Sequence, residues 1–154
     1  MSAAHAVVAA IPDPEIPVIT IEDLGVLRSV DTKDDGSVVV TITPTYSGCP
    51  ALDAIRSDIE TTLSAHGFDR VEVRTVLRPA WTTDWLTDRG RRQLREFGIA
   101  PPRPRGDALL LLEVACPRCA STSTRLVSRF GATACKAQRV CNACDEPFDH
   151  FKEL

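Results

Sequence analysis

The 154-residue chain holds six cysteines, and four of them form two Cys-x-x-Cys pairs, Cys116/Cys119 and Cys141/Cys144, with 21 residues between the pairs. A Cys-x-x-Cys turn carries two thiolates to one side of a tight loop. Two such loops facing each other make the tetrahedral sulfur cage that zinc or iron accepts. The spacing therefore predicts a four-thiolate metal site in a zinc-ribbon or rubredoxin-like knuckle. Zinc is the expected ion, and iron or an iron-sulfur cluster is the alternative. The competing reading, two unliganded pairs or two disulfides, would leave a segment this short with little core to hold it. Cys135, six residues before Cys141, is either a spare ligand or a spectator.

A second thiol, Cys49, lies in Thr43-Pro44-Thr45-Tyr46-Ser47-Gly48-Cys49-Pro50. Pro50 suits the first position of a helix, which places Cys49 near the N-cap. There the unpaired N–H groups and the helix dipole favour thiolate over thiol. Cys49 is then a reactive or metal-transfer thiol, or else a small cap residue without reactivity. Upstream, Asp13, Glu15, Glu22 and Asp23 put four carboxylates within eleven residues of a proline-stiffened loop. Asp13 and Glu15 would polarise a cysteine or a metal, or would cap and solvate the loop. Trp81 and Trp85 read as packing residues or as a partner contact. No serine elbow, phosphate-binding glycine loop or Glu-x-x-His pair is present, so no self-contained active site is expected. His5, His66 and His150 read as surface or capping histidines.

These residues need elements to position them. The runs Leu24 to Val30 and Val38 to Thr43 predict two strands joined across Asp31 to Gly36, a turn-rich stretch suited to a hairpin. Leu52, Ile55, Ile59 and Leu63 recur at helical spacing, and Gly67 offers the stop. A third strand begins at Val71, and a short helix precedes the first strand. Asp84 to Gly98 predicts one more helix with a sparse apolar face of Leu86, Leu94 and Phe97. Leu109 to Val114, Thr124 to Ser128 and Phe148 to Phe151 read as strands around the cage. The expected fold class is α+β: a small α/β sandwich of order α-β-β-α-β over residues 1–80, a helical and proline-rich connector over 81–106, and a β-rich four-Cys ribbon over 107–154.

Residues 1–100 carry ten basic and fifteen acidic side chains, net −5, while 101–154 carry eight basic and six acidic, net +2. That balance disfavours a nucleic-acid partner, which calls for a denser basic face, so Arg118, Arg125, Arg129, Lys136 and Arg139 read as solvated or protein-docking surface. No apolar run approaches the twenty residues a membrane helix needs, and residues 1–10 lack the pattern of a secretory signal. A reducing cytoplasm is the expected compartment, where thiols are available to metal.

The motifs Asp13-Pro14-Glu15-Ile16-Pro17, Asp23-Leu24-Gly25 and Gly48-Cys49-Pro50, in that order, resemble the SufT-like family implicated in iron-sulfur protein maturation. Adding Trp81-Thr82-Thr83-Asp84-Trp85, Cys116-Pro117-Arg118-Cys119, Phe130-Gly131, Ala134-Cys135-Lys136 and Cys144-Asp145-Glu146-Pro147-Phe148, nearly the whole chain resembles the PaaD family of the bacterial phenylacetyl-CoA epoxidase system. The resemblance implies an accessory protein that helps install or maintain metal centres of the multicomponent ring epoxidase. The implied partners are its di-iron oxygenase and iron-sulfur reductase components or iron-sulfur assembly proteins. It does not imply that this chain epoxidises anything. Carried over, Cys49 is the family's helix-start cysteine, Asp13 and Glu15 its acidic loop, and Cys116, Cys119, Cys141 and Cys144 its metal cage. An electron-transfer or structural component of the same complex is the alternative, and a zinc-ribbon nucleic-acid binder ranks behind both.

Overall fold

A computed structural model describes residues 2–103 and 113–153. The chain divides into two compact units, one of Met1–Trp81 with Trp85–Thr87, the other of Thr82–Asp84 with Asp88–Leu154.

The first unit runs α1 (Ala3–Ala9), β1 (Leu27–Thr32), β2 (Val38–Ile42), α2 (Leu52–Ala65) and β3 (Val71–Thr75), the expected order. Its sheet has the order β1-β2-β3, with β1 and β2 antiparallel and β2 and β3 parallel. The β-branched run makes β2 the central strand, and Val38, Val39 and Val40 are all buried because both sheet faces are covered. On α2, Ile55, Ile59 and Leu63 form the buried stripe. Gly67 adopts a φ of +85° just past its end, and Phe68 N–H donates to Leu63 O at 3.1 Å, closing the helix as the sequence predicts. Val8, Ile19, Ile21, Val26 and Ile42 complete the core.

Residues 81 and 85–87 belong to this unit through contacts that sequence spacing does not reveal. The Trp81 indole N–H donates to Leu24 O at 3.0 Å, and Thr87 N–H donates to Asp23 O at 2.9 Å. Gly25 has a φ of +78°, and a Cβ placed there would stand 2.6 Å from Trp85 Cβ and 2.7 Å from Trp85 O. Only glycine allows this approach.

The second unit comprises α3 (Asp88–Glu96), β4 (Ile99–Ala100), β5 (Thr124–Ser128), β6 (Lys136–Cys141) and β7 (Pro147–Phe151). The sheet order is β4-β7-β6-β5, antiparallel except for the short β4–β7 pair. The expected helix over Asp84 to Gly98 is shorter than its pattern suggests. A 3-10 turn occupies Thr83–Trp85, α3 begins only at Asp88, Leu94 is its one large buried apolar residue, and Phe97 is 61% exposed. The strands at Thr124 and near Phe148 form as expected. Strand β6 is not expected from the sequence, because Lys136, Gln138 and Arg139 interrupt its apolar pattern. Of the expected strand Leu109 to Val114, residues 109–112 lie outside the described residues, and Val114 belongs to no strand. No helix of the described residues is long and apolar enough to cross a membrane.

Candidate metal centre

The two Cys-x-x-Cys turns fold alike. In the first, Cys116 N–H donates to Ser121 O at 2.9 Å and Ala120 N–H donates to Cys116 O at 2.9 Å; in the second, Cys141 N–H donates to Glu146 O at 2.9 Å and Asp145 N–H donates to Cys141 O at 3.0 Å. Each turn requires a left-handed residue immediately after its second cysteine. Ala120 has a φ of 60° and Asp145 a φ of 58°. Alanine thus holds, at a torsional cost, a conformation that glycine would adopt freely. β6 delivers Cys141 directly into the second turn, and Asn142 N–H donates to Ser123 O at 2.8 Å, tying one turn to the chain that leaves the other.

The four sulfur atoms all lie within 4.8 Å of one another, with Cys119 Sγ 3.5 Å from Cys141 Sγ and Cys116 Sγ 3.8 Å from Cys144 Sγ. A tetrahedral ion with metal–sulfur bonds of about 2.3 Å has sulfur–sulfur edges of about 3.8 Å, so the two close pairs are at or near that spacing and small side-chain shifts would seat such an ion. The donor set, four thiols and no carboxylate, selects a thiophilic ion over calcium or magnesium. Cys116 and Cys141 are buried, while Cys119 is exposed and Cys144 lies between.

The electrostatics also call for a cation. Burial pushes the Cys141 thiol up, but the N–H groups of Ala143 and Cys144 and the neighbouring thiols Cys119 and Cys144 outweigh it and bring the pKa down to about 7. At Cys144 a backbone N–H from Glu146 works downward, yet burial and the thiols of Cys119, Cys141 and Cys116 push the pKa up to about 12. The first thiolate forms readily and a further one is resisted, because charge accumulates in one small space. A divalent cation removes that penalty. Ala143 N–H also reaches Cys141 Sγ at 3.4 Å, a bond that partly offsets charge on the sulfur.

The other residues singled out from the sequence lie elsewhere. Cys135 is buried and outside the cluster, 3.0 Å from Thr133 Oγ1. His150 is buried on β7, its Nε2 3.6 Å from Glu153 Oε1. That pairing helps to hold the Glu153 carboxyl down at about 2 although burial works upward.

In the first unit, Cys49 does not take the N-cap. α2 starts at Leu52, Ala51 occupies the cap without a side-chain bond, and Cys49 instead accepts the Leu52 N–H on its carbonyl at 3.2 Å. The Pro50-Ala51 turn inserts between thiol and helix, so the dipole argument weakens at Cys49. Asp13 is buried and accepts the N–H groups of Glu15 and Ile16, each at 2.9 Å, which is the loop-capping geometry. Trp81 is 5% exposed, and Trp85 carries the Arg28 guanidinium 3.6 Å from its ring centroid. The motif residue that sequence reasoning undervalues is Asp23. It is buried and accepts from the hydroxyls of Thr20 and Thr87. Its signal is the Thr-x-x-Asp spacing of Thr20 and Asp23.

Residues 3–75 match the family described as iron-sulfur cluster assembly protein, and residues 101–152 match the PaaD zinc beta ribbon domain. A protein of Escherichia coli, provisionally named as one of the subunits of 1,2-phenylacetyl-CoA epoxidase, is 52% identical over 148 residues, covering 96% of this chain and 89% of that one. A Porphyromonas gingivalis protein named Fe-S protein maturation auxiliary factor is 37% identical over 83 residues, 53% of this chain and 78% of that one. Among solved structures, a DUF59 domain from Bacillus anthracis superimposes with a TM-score of 0.55 at 29% identity, covering 59% of this chain and 87% of that one. Relatives of the first part alone thus carry iron-sulfur maturation names, whereas the epoxidase name attaches to the similarity that spans both parts. With that match extending along nearly all of both chains, the protein belongs to the PaaD family, in which an iron-sulfur cluster assembly domain precedes a zinc beta ribbon.

Proposed function

We propose that this protein is a cytoplasmic accessory factor that assists assembly or maintenance of the iron-sulfur or di-iron centres of a multicomponent phenylacetyl-CoA ring epoxidase. The observation that carries this reading is the pairing, in one chain, of an iron-sulfur assembly domain with a four-thiolate ribbon, together with full-length similarity to a protein named for the epoxidase. In this reading Cys116, Cys119, Cys141 and Cys144 hold zinc as a resident structural ion. Zinc supplies no redox chemistry there; it neutralises four thiolates and fixes the ribbon. Iron is the cargo. Cys49, on the loop between β2 and α2, is the transfer ligand, and Asp13 and Glu15 furnish the acidic loop that precedes it in the chain's motif order. The oxygenase and reductase components of the epoxidase, or iron-sulfur assembly proteins, are the partners.

The test is metal and acid-labile sulfide analysis of anaerobically purified protein, native and with Cys49→Ser or Cys116→Ser, paired with iron content of the epoxidase components co-produced with each. One zinc per chain, lost only in Cys116→Ser, with client iron reduced in Cys49→Ser, supports the proposal. Iron with sulfide in the cage itself would sink it in favour of an electron-transfer role.

A further inference from the structure

The second unit contains a cleft of about 450 Å³ that reaches the first Cys-x-x-Cys turn, with Cys116, Pro117 and Ala120 among its lining residues. That volume lies in the range of small-ligand sites. Ala100, Pro102 and Val114 give it apolar surface, Arg91, Arg95 and Arg103 line it as well, and the buried His150 stands among them. No aspartate or glutamate is among its described lining residues.

The three arginines are not equivalent. Arg91 is braced, donating to the Thr83 carbonyl at 2.6 Å and to the Pro102 carbonyl. Arg95 follows at i+4 on α3, so both side chains leave one helix face. Among the described residues neither Arg95 nor Arg103 takes part in an ion pair. The carboxylate that comes near, Glu153, lies 3.6 Å from His150 Nε2 and accepts the backbone N–H of Arg103 at 3.3 Å. Burial holds the Arg139 guanidinium below its ordinary range; Glu153 works against that, and Arg103 adds to it more weakly.

Arg95 and Arg103, without an ion pair among the described residues, beside an apolar surface describe a complementary ligand. The forks match phosphate oxygens in two-point hydrogen bonds, and a phosphomonoester at neutral pH carries up to about two negative charges, more than a single carboxylate offers. We propose that this cleft binds a small phosphomonoester with an apolar substituent. Arg95 and Arg103 hold the phosphoryl oxygens, braced Arg91 supplies fixed positive charge, and the surface of Ala100, Pro102 and Val114 takes the substituent. Because Cys116 and Ala120 line the same cleft, binding is read with the cage loaded, and the Arg95 and Arg103 variants should keep their metal.

The experiment is a titration of the metal-loaded full chain, followed through backbone amide chemical shifts, with phenyl phosphate, inorganic phosphate and benzyl alcohol in separate arms. The site requires saturable phenyl phosphate shifts centred on Ala100, Val114 and Ala120, with weaker binding of both other probes. Arg95→Ala and Arg103→Gln should each weaken phenyl phosphate by about tenfold while the remaining amide shifts stay native. Arg95 is exposed on α3, so its variant tests binding rather than folding. Phenyl phosphate shifts that are absent, that centre on the first unit, or that persist with unchanged affinity in both variants overturn the assignment. Inorganic phosphate binding as tightly as phenyl phosphate also overturns it, because the apolar surface would then contribute nothing.

Discussion

Gly25→Ala isolates the contact that fastens residues 85–87 to the first unit. Two costs add. The residue has a φ of +78°, and a left-handed torsion costs a non-glycine residue roughly 1–2 kcal/mol. The new Cβ would also stand 2.6, 2.7 and 2.9 Å from Trp85 Cβ, O and C, the last two being backbone that cannot swing aside. Overpacking of that kind costs about 1–3 kcal/mol. Gly67→Ala supplies the reference, since its φ is +85° but nothing lies within 4 Å of the added Cβ. It shares the torsional cost and the stiffening of the unfolded chain, so both cancel in the comparison. Gly25→Ala should therefore be less stable than Gly67→Ala by about 1–3 kcal/mol. Urea unfolding followed by tryptophan fluorescence reads this cleanly, because the chain's two tryptophans, Trp81 and Trp85, both belong to the first unit. Equal midpoints for the two variants, at equal denaturant dependence, would refute the close approach of Trp85 to Gly25.

Three further outcomes follow from the same structure. Trp81→Phe removes the donor to Leu24 O and leaves a buried carbonyl unpaired, so the first unit should lose about 1–3 kcal/mol in the same assay, read from Trp85; a change indistinguishable from zero would mean the bond is not formed. Chelating the cage ion, or Cys116→Ser, should abolish the far-ultraviolet β signal of the ribbon while tryptophan fluorescence stays native, because Cys116 and Cys141 are half of the buried cluster they form with Ala100 and Phe148. A ribbon that keeps its sheet without metal contradicts this. Ala120→Gly relieves the left-handed torsion but loosens the unfolded chain, a net gain of about 0.5–1 kcal/mol that should slow metal loss to a competing chelator by roughly two- to fivefold. Faster loss would show that alanine is not strained there.

The local features were legible in the residues alone. The β-branched run Val38 to Thr43, the i, i+3, i+4 stripe of α2 and its Gly67 stop name their own conformations, since backbone propensity and side-chain periodicity act within a few residues. The Cys-x-x-Cys turns are local in the same sense, and so the cage ligands are readable before any strand around them is placed. Cys49 shows the limit of such reading: a proline in the right position predicts a cap, but the helix begins two residues beyond Pro50. Strand β6 is hidden because its alternate residues pack on neighbouring strands that its own composition does not announce.

What tertiary structure alone decided is how distant segments meet. The sequence determined that four thiols exist in two turns; folding set Cys119 against Cys141 and Cys116 against Cys144. Likewise, Trp81 and Trp85 read as part of a connector, yet they belong to the first unit because Leu24 and Gly25, over fifty residues earlier, leave room and an acceptor for them. The parallel β2–β3 pairing and the convergence of Arg91, Arg95 and Arg103 on one cleft have the same origin. Short-range spacing is set by bonded geometry, whereas these contacts form only when burial of the whole core compensates the entropy of bringing remote segments together.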